Sequence, residues 1–395
     1  MEEWKSYRLG DVINVLDYKR VPLSSKERES RKGVYPYYGA QGIIDYINDY
    51  IFDGEYLLIA EDGENLKSQK QNIAQIARGK FWVNNHAHIV ESNGKSDIRF
   101  ICYLLNRMDL SGYITGSAQP KLNQANLLAM EVCLPDLATQ IRIVGLLSSF
   151  DDKIAINNRI NHNLEEQAQA LYKSWFVEFE PFKNGKFVDT ELGMIPEGWN
   201  VVKAEEICPI NIGKTPPRKE SKWFSTNVKD NTWVSISDMS DCGTYINASS
   251  ENLTNEAISK FNIAIVPAGS VLLSFKLTIG RVAIANKDLT TNEAIARFVT
   301  DGPALTNYLY LALKDYDYSK LGSTSSIATA VNSKIIKTMP MLHPGIEVIK
   351  EFACVVDGIF EEIRKRQKEN RILAGIRDSA LPRLMSGECL PFKAC

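Results

Sequence analysis

The residues that could do chemistry in this chain are few, and their spacing argues against most reactions. His86 and His88 lie two apart in a strand-like run, so their rings point to opposite faces and a shared metal is disfavoured. Glu220-Ser221-Lys222 supplies half of a nuclease carboxylate-lysine motif, but the sole Pro-Asp, Pro135-Asp136, lies far upstream. Gly213-Lys214-Thr215 and Gly94-Lys95-Ser96 end like phosphate-binding loops. The Gly needed five residues before each second Gly is replaced by Cys208 and Ile89. There is no Gly-x-Gly, and the single Pro-Pro follows Thr215 rather than the Asn or Asp of an amino-methyltransferase tetrapeptide. The seven cysteines are scattered without a Cys-x-x-Cys, which gives neither a disulfide framework nor a zinc site. The reading is a chain with no catalytic residues, no metal and no bound cofactor.

Positive charge points elsewhere. The net charge is only −2, so any nucleic-acid contact needs local clusters. Two occur at matching distances after a Trp. Lys19, Arg20, Lys26, Arg28, Arg31 and Lys32 follow Trp4; Lys214, Thr215, Arg218, Lys219 and Lys222 follow Trp199. Cations among Pro and Ser suit phosphate contacts on loops. Nearby amides, hydroxyls and rings could read base edges, notably Tyr38 and Gln41 in one copy and Ser237 in the other. A third pair of small polar loops adds Ser117, Gln119 and Lys121, and Ser323, Thr324 and Ser325.

The elements that carry these clusters are duplicated. At an offset of 209, residues 123–176 align without a gap on 332–385; at an offset of 195, residues 4–12 align on 199–207. The second copy therefore carries 14 extra residues in its middle. Each copy begins with an α+β globular part. Residues 56–60, 87–90, 270–274 and 281–285 read as strands, and 97–108 and 305–314 as short helices. Each then enters a long helix. The first opens after Pro135, capped by Asp136, with a seam of Leu137, Ile141, Val144, Leu147, Ile154, Asn157, Leu164 and Leu171 at the coiled-coil period. The second opens after Pro344-Gly345, carries Ile363, Gln367, Asn370 and Leu373, and is expected to break at Pro382. Boundaries follow at 1–134, 135–180, 181–343 and 344–395. Helices of this length reach about 60 Å. An antiparallel pair gives a pseudo-two-fold repeat, brings Asn157 and Gln367 together to fix register, and spans at most about 18 base pairs. The first residues are charged and polar and no apolar run reaches membrane-spanning length, so the expected compartment is the cytoplasm.

Several segments make the chain resemble a specificity subunit of a type I restriction-modification system. They are residues 164–176 (LEEQAQALYKSWF), 193–199 (GMIPEGW), 376–388 (IRDSALPRLMSGE), 116–120 (GSAQP) and 35–40 (YPYYGA). The resemblance covers nearly the whole chain. It implies two target recognition domains, each reading half of an asymmetric bipartite site in double-stranded DNA, separated by helical spacers. It also implies two modification subunits that carry S-adenosylmethionine and methylate adenine at N6. ATP- and Mg-dependent restriction subunits would add site-specific DNA cleavage. Lys173, Trp175, Phe176 and Arg383, outside the helical seam, become candidate contacts for modification subunits. The alternatives are a coiled-coil adaptor without a DNA role, or a modification-only complex.

Overall fold

The computed structural model describes residues 4–116, 119–240, 242–321 and 331–388. Contacts divide the chain into a first unit, residues 1–152 with 373–395, and a second unit, residues 153–372. Each unit thus combines one globular part with segments of both long helices.

In the first unit a six-stranded sheet runs in the order Ile13–Val15, Ala87–Ser92, Phe52–Ala60, Ala74–Val83, Lys32–Gly39, Gly42–Ile47. Its pairings are antiparallel except that Lys32–Gly39 lies parallel to Ala74–Val83. The second unit repeats this scheme in a five-stranded sheet ordered Ile210–Ile212, Ile295–Phe298, Val271–Ser274, Val282–Ala285, Tyr245–Ile246, again with three antiparallel pairings and then a parallel one. A further four-stranded sheet belongs to this unit alone. The duplication is also visible residue by residue. Lys5 pairs with Leu134 in an antiparallel ribbon, and Asn200 pairs with His343 in its counterpart. The offsets of 195 and 209 seen in sequence are therefore the offsets of one ladder.

The long helices span Leu137–Phe176 and Ile346–Met385. Asp136 caps the first through a 2.7 Å bond from the Thr139 amide. In the second unit they run antiparallel: Asn157 meets Asn370, and Trp175 meets Phe352. In the first unit Asp151 meets Arg377 at 2.5 Å. Their ends are core, not bare spacer. Ile143, Val144, Leu147, Leu381 and Leu384 complete the first unit's core; Ala168, Tyr172, Phe176, Phe352, Val356 and Ile363 complete that of the second.

Three expectations need correction. The second helix continues through Pro382 to Met385, because Leu381 and Leu384 are buried and draw the last turn inward. The seam at the start of the first helix is rotated. Leu137 and Ile141 are exposed, while Thr139 and Gln140 are buried. Gln140 tolerates burial because it donates to the Pro135 carbonyl at 2.9 Å and accepts from the Asp97 amide at 3.0 Å. Finally, Asn157 is paired not with Gln367 but with Asn370 and Glu369, at 2.8 Å each, and it accepts from Arg366. Gln367 instead clamps the second unit's own loop, donating to the Cys242 carbonyl at 2.7 Å and accepting from the Tyr245 amide at 3.0 Å. The clamp needs Gly243, whose φ is 68° and where a Cβ would stand 2.5 Å from the Gln367 amide nitrogen. No helix among the described residues is long and apolar enough to cross a membrane.

Candidate nucleic-acid interface

The basic clusters lie less on loops than expected. Lys19 ends the 3-10 turn Asp17–Lys19, Lys26 and Arg28 sit on the short helix Ser25–Ser30, Lys32 opens the strand Lys32–Gly39, and Lys222 sits in the 3-10 turn Ser221–Trp223. Burial sorts their members. In the first unit Arg20 is held from three sides, by Glu61 at 2.7 Å, the Ala87 carbonyl at 2.9 Å and Asp17 at 3.3 Å. Arg28 bonds Asp45 and the Leu23 carbonyl and lies over the Tyr37 ring. Arg31 pairs with Asp49 and stacks on Trp82. Arg20 and Arg28 are thus held by acids and carbonyls of the fold, with little of either side chain left exposed. Lys19 and Lys26 are exposed, and Lys32 and Lys121 are more than half exposed even though they pair with Asp45 and Glu61. Gln41 and Gln119 are exposed; Tyr38 is half-buried with its ring edge-on to Phe81. Burial pushes the Tyr38 hydroxyl up, which keeps it a neutral donor.

Sequence reasoning missed the network under this cluster. His88 is buried; its Nδ1 lies 2.5 Å from Asp17 and its Nε2 lies 2.8 Å from the Leu122 carbonyl. Burial raises the Asp17 pKa. The hydrogen bond and charge of His88, the Ile89 amide and Arg20 outweigh it, so the carboxyl lies below its usual range. Both ring nitrogens of His88 therefore face oxygen atoms, one of a carboxylate and one of a carbonyl. Asp17, Glu61 and His88 bring three ligand atoms within 4.8 Å of one another. Arg20 and Lys121 already neutralise the carboxylates, and both ring nitrogens are engaged. The cluster is an ion-pair network that staples the turn at residues 17–20 and the segment at 121–122 to the sheet. Its partners lie up to 72 residues apart, and no local spacing announces them.

In the second unit Lys214 donates to the Phe261 and Asn262 carbonyls, and Thr215 donates to Glu293. Arg218 pairs with Glu251 at 2.6 Å and lies over both Phe224 and Trp233. Lys219 is exposed, and Lys222 keeps most of its surface while lying over Trp223. Ser237 is exposed beside Ser235, whose hydroxyl is 2.7 Å away. Ser117, Ser323, Thr324 and Ser325 lie outside the described residues. On the helices, Phe176 is buried among Tyr308, Phe352 and Trp199, which corrects its place as an outward contact. Trp175 is half-buried against Phe352 and Phe182; Lys173 pairs with Asp315; Arg383 is exposed.

Two α+β units of one topology, each with exposed lysines and polar loops, set the frame for comparison with known proteins. The sequence profile described as "Type I restriction modification DNA specificity domain" matches residues 1–166 and again 196–373. The chain belongs to that family. It is 24% identical to the type I restriction enzyme HindI specificity subunit of Haemophilus influenzae, over 98% of this chain and 100% of that one. It is 27% identical to the MjaIX specificity subunit of Methanocaldococcus jannaschii, over 98% and 96%. Among solved structures, the S subunit of a type I restriction-modification system from M. genitalium matches 100% of this chain and 97% of that one, with a TM-score of 0.57 at 13% identity. That likeness shows the shared fold. The two profile matches coincide with the two copies found by internal alignment.

Proposed function

We propose that this chain reads DNA sequence for a type I restriction-modification complex without itself catalysing a step. Each unit recognises one half of an asymmetric split site. The recognition domains are residues 1–134 and 181–343, and the helical segments, residues 135–180 and 344–395, dock two modification subunits. S-adenosylmethionine, ATP and Mg are held by partner subunits: the methyltransferases modify adenine at N6, and restriction subunits cleave. The complex works in the cytoplasm, where the host DNA lies. The observation that carries this reading is the duplication with divergence. One topology occurs twice, matched twice by a DNA specificity family, with different exposed lysines and polar groups on its loops.

The test is co-expression with the neighbouring methyltransferase subunit and single-molecule mapping of methylated adenines in host DNA. One split motif with two short specified halves and a fixed gap is expected. Exchanging residues 1–134 for those of a relative should change one half only. A folded complex that methylates no motif would overturn the reading.

A further inference from the structure

In the second unit, the hairpin between Val271–Ser274 and Val282–Ala285 breaks two ordinary rules at one residue. Leu277 is fully exposed, and its φ is 62°. A leucine gains nothing from either condition, since Gly or Asn suits the left-handed region and a polar side chain suits water. The Thr278 amide donates to the Lys276 carbonyl at 2.7 Å, closing a three-residue γ-turn of the rare positive-φ kind around Leu277.

The turn is braced from inside. Ser274 is buried; its hydroxyl donates to the Thr278 carbonyl at 2.7 Å and accepts from the Arg281 amide at 3.1 Å. The Gly280 amide donates to the Ser274 carbonyl at 3.1 Å. It is braced from its flanks as well. Arg281 donates to the Ile236 carbonyl at 2.7 Å, and the Tyr318 ring lies so near Gly280 that a Cβ there would be 3.3 Å away. Strain of this kind persists where the surroundings over-determine it, and it clusters at sites of function. The result is a stiff tip that holds an apolar side chain out in water.

Its neighbours indicate what the tip meets. Lys276, beside it, is exposed. The Phe275 amide donates to the Ala294 carbonyl, in the same turn whose Glu293 takes the Thr215 hydroxyl. Arg281 ties the hairpin to the loop of Ser235 and Ser237. The tip therefore stands among the loops that carry the second unit's basic and base-reading candidates. A protein partner would need a contiguous apolar patch of several hundred Å². Here the exposed neighbours are Lys276, Thr278 and Ile279, so the apolar surface is one projecting leucine and part of one isoleucine, which fits a narrower cleft.

We propose that Leu277 inserts as a wedge between adjacent base pairs of the half-site read by the second unit, unstacking that step while Lys276 takes a flanking phosphate. This rests on the reading that the second unit binds duplex DNA. The corresponding connection in the first unit, between Phe52–Ala60 and Ala74–Val83, folds into the short helix Asn65–Ser68 and buries Leu66. The wedge, and the distortion it causes, therefore belongs to one half-site only.

The test uses the full chain assembled with its methyltransferase subunits, on duplexes of the mapped site carrying 2-aminopurine at each purine in turn. In the wild type, one step of the second half-site gains fluorescence on binding, apart from the adenines being methylated. Leu277→Asn, which suits the left-handed backbone and removes the apolar chain, abolishes that gain. It weakens binding about tenfold, the scale of losing one buried leucine. Its melting temperature is no lower than that of wild type. Leu277→Met keeps both signals within about twofold. Leu277→Asn with unchanged fluorescence and affinity would overturn the wedge. So would loss of methyltransferase subunits from the purified Leu277→Asn complex with the DNA signal intact, since that marks a protein contact. A wild-type complex with no site-specific duplex binding sinks the DNA reading itself and the wedge with it.

Discussion

At the scale of single residues, the most committed polar group is Asn157. It is fully buried and holds Asn370, Glu369 and Arg366, and Asn370 in turn donates to Asn158 at 2.8 Å. Removing one member leaves the others short of partners, which costs about 1–3 kcal/mol. A double-mutant cycle on Asn157→Ala and Asn370→Ala should show a coupling of about 1 kcal/mol in urea unfolding, whereas Asn157 with Gln367 should be additive. The same scale separates two kinds of cation. Lys219→Ala and Lys222→Ala should each weaken DNA binding alike on all sequences and reduce the salt slope by about 1, with melting unchanged. Arg218→Ala removes a guanidinium stacked on Trp233 and paired with Glu251, and should also destabilise the second unit by about 1 kcal/mol. Sequence could show that cations cluster. It could not show that Arg20 and Arg28 face Glu61 and Asp45, because those acids arrive through the tertiary fold.

At the scale of elements, local pattern was sufficient for short apolar runs that are buried on both faces of a sheet. Residues 56–60 and 87–90 lie inside observed strands, and Asp136 caps its helix as its type suggests. Pattern failed where a tertiary hydrogen bond overrode hydropathy. Gln140 is inside and Ile141 outside because Pro135 and Asp97 satisfy the Gln140 amide, and nothing in the helix itself announces that. The Asp17–His88–Glu61–Arg20 network is another such device, and its stability should depend on pH. The folded Asp17 carboxyl lies below its ordinary range, so it binds fewer protons folded than unfolded. Its stabilisation is present above the unfolded pKa of about 4 and is lost as pH falls through the lower folded value. Urea midpoints measured from pH 6 to pH 2 should fall in that acid window for wild type. Asp17→Asn should be about 2 kcal/mol weaker at pH 6, because it removes the charged acceptor that holds His88, the Ile89 amide and Arg20, and its midpoint should change less through the same window.

At the scale of the whole molecule, duplication was legible because it is ordered: two offsets, one 14-residue difference, and an apolar pattern kept between them. What offsets cannot reveal is which segments complete which core. Residues 377–387 pack into the first unit. Leu381 and Leu384 are buried with Leu147 and Val144, Arg377 bonds Asp151, and Gly387 lies where a Cβ would stand 2.5 Å from the Trp4 indole nitrogen. The second unit's core draws on Ile349 to Ile363 of the same helix. Deleting residues 373–395 should therefore damage the far end of the sequence. Two buried leucines lost from a core cost about 2–5 kcal/mol each, enough to unfold a unit of ordinary stability. Hydrogen exchange should then show residues 4–152 losing protection while 199–343 keep theirs. Uniform loss in both units, or none in the first, would mean that the chain end does not complete the first core. The full-length double variant Leu381→Ala with Leu384→Ala should reproduce the pattern in weaker form, which separates lost packing from the mere shortening of the helix.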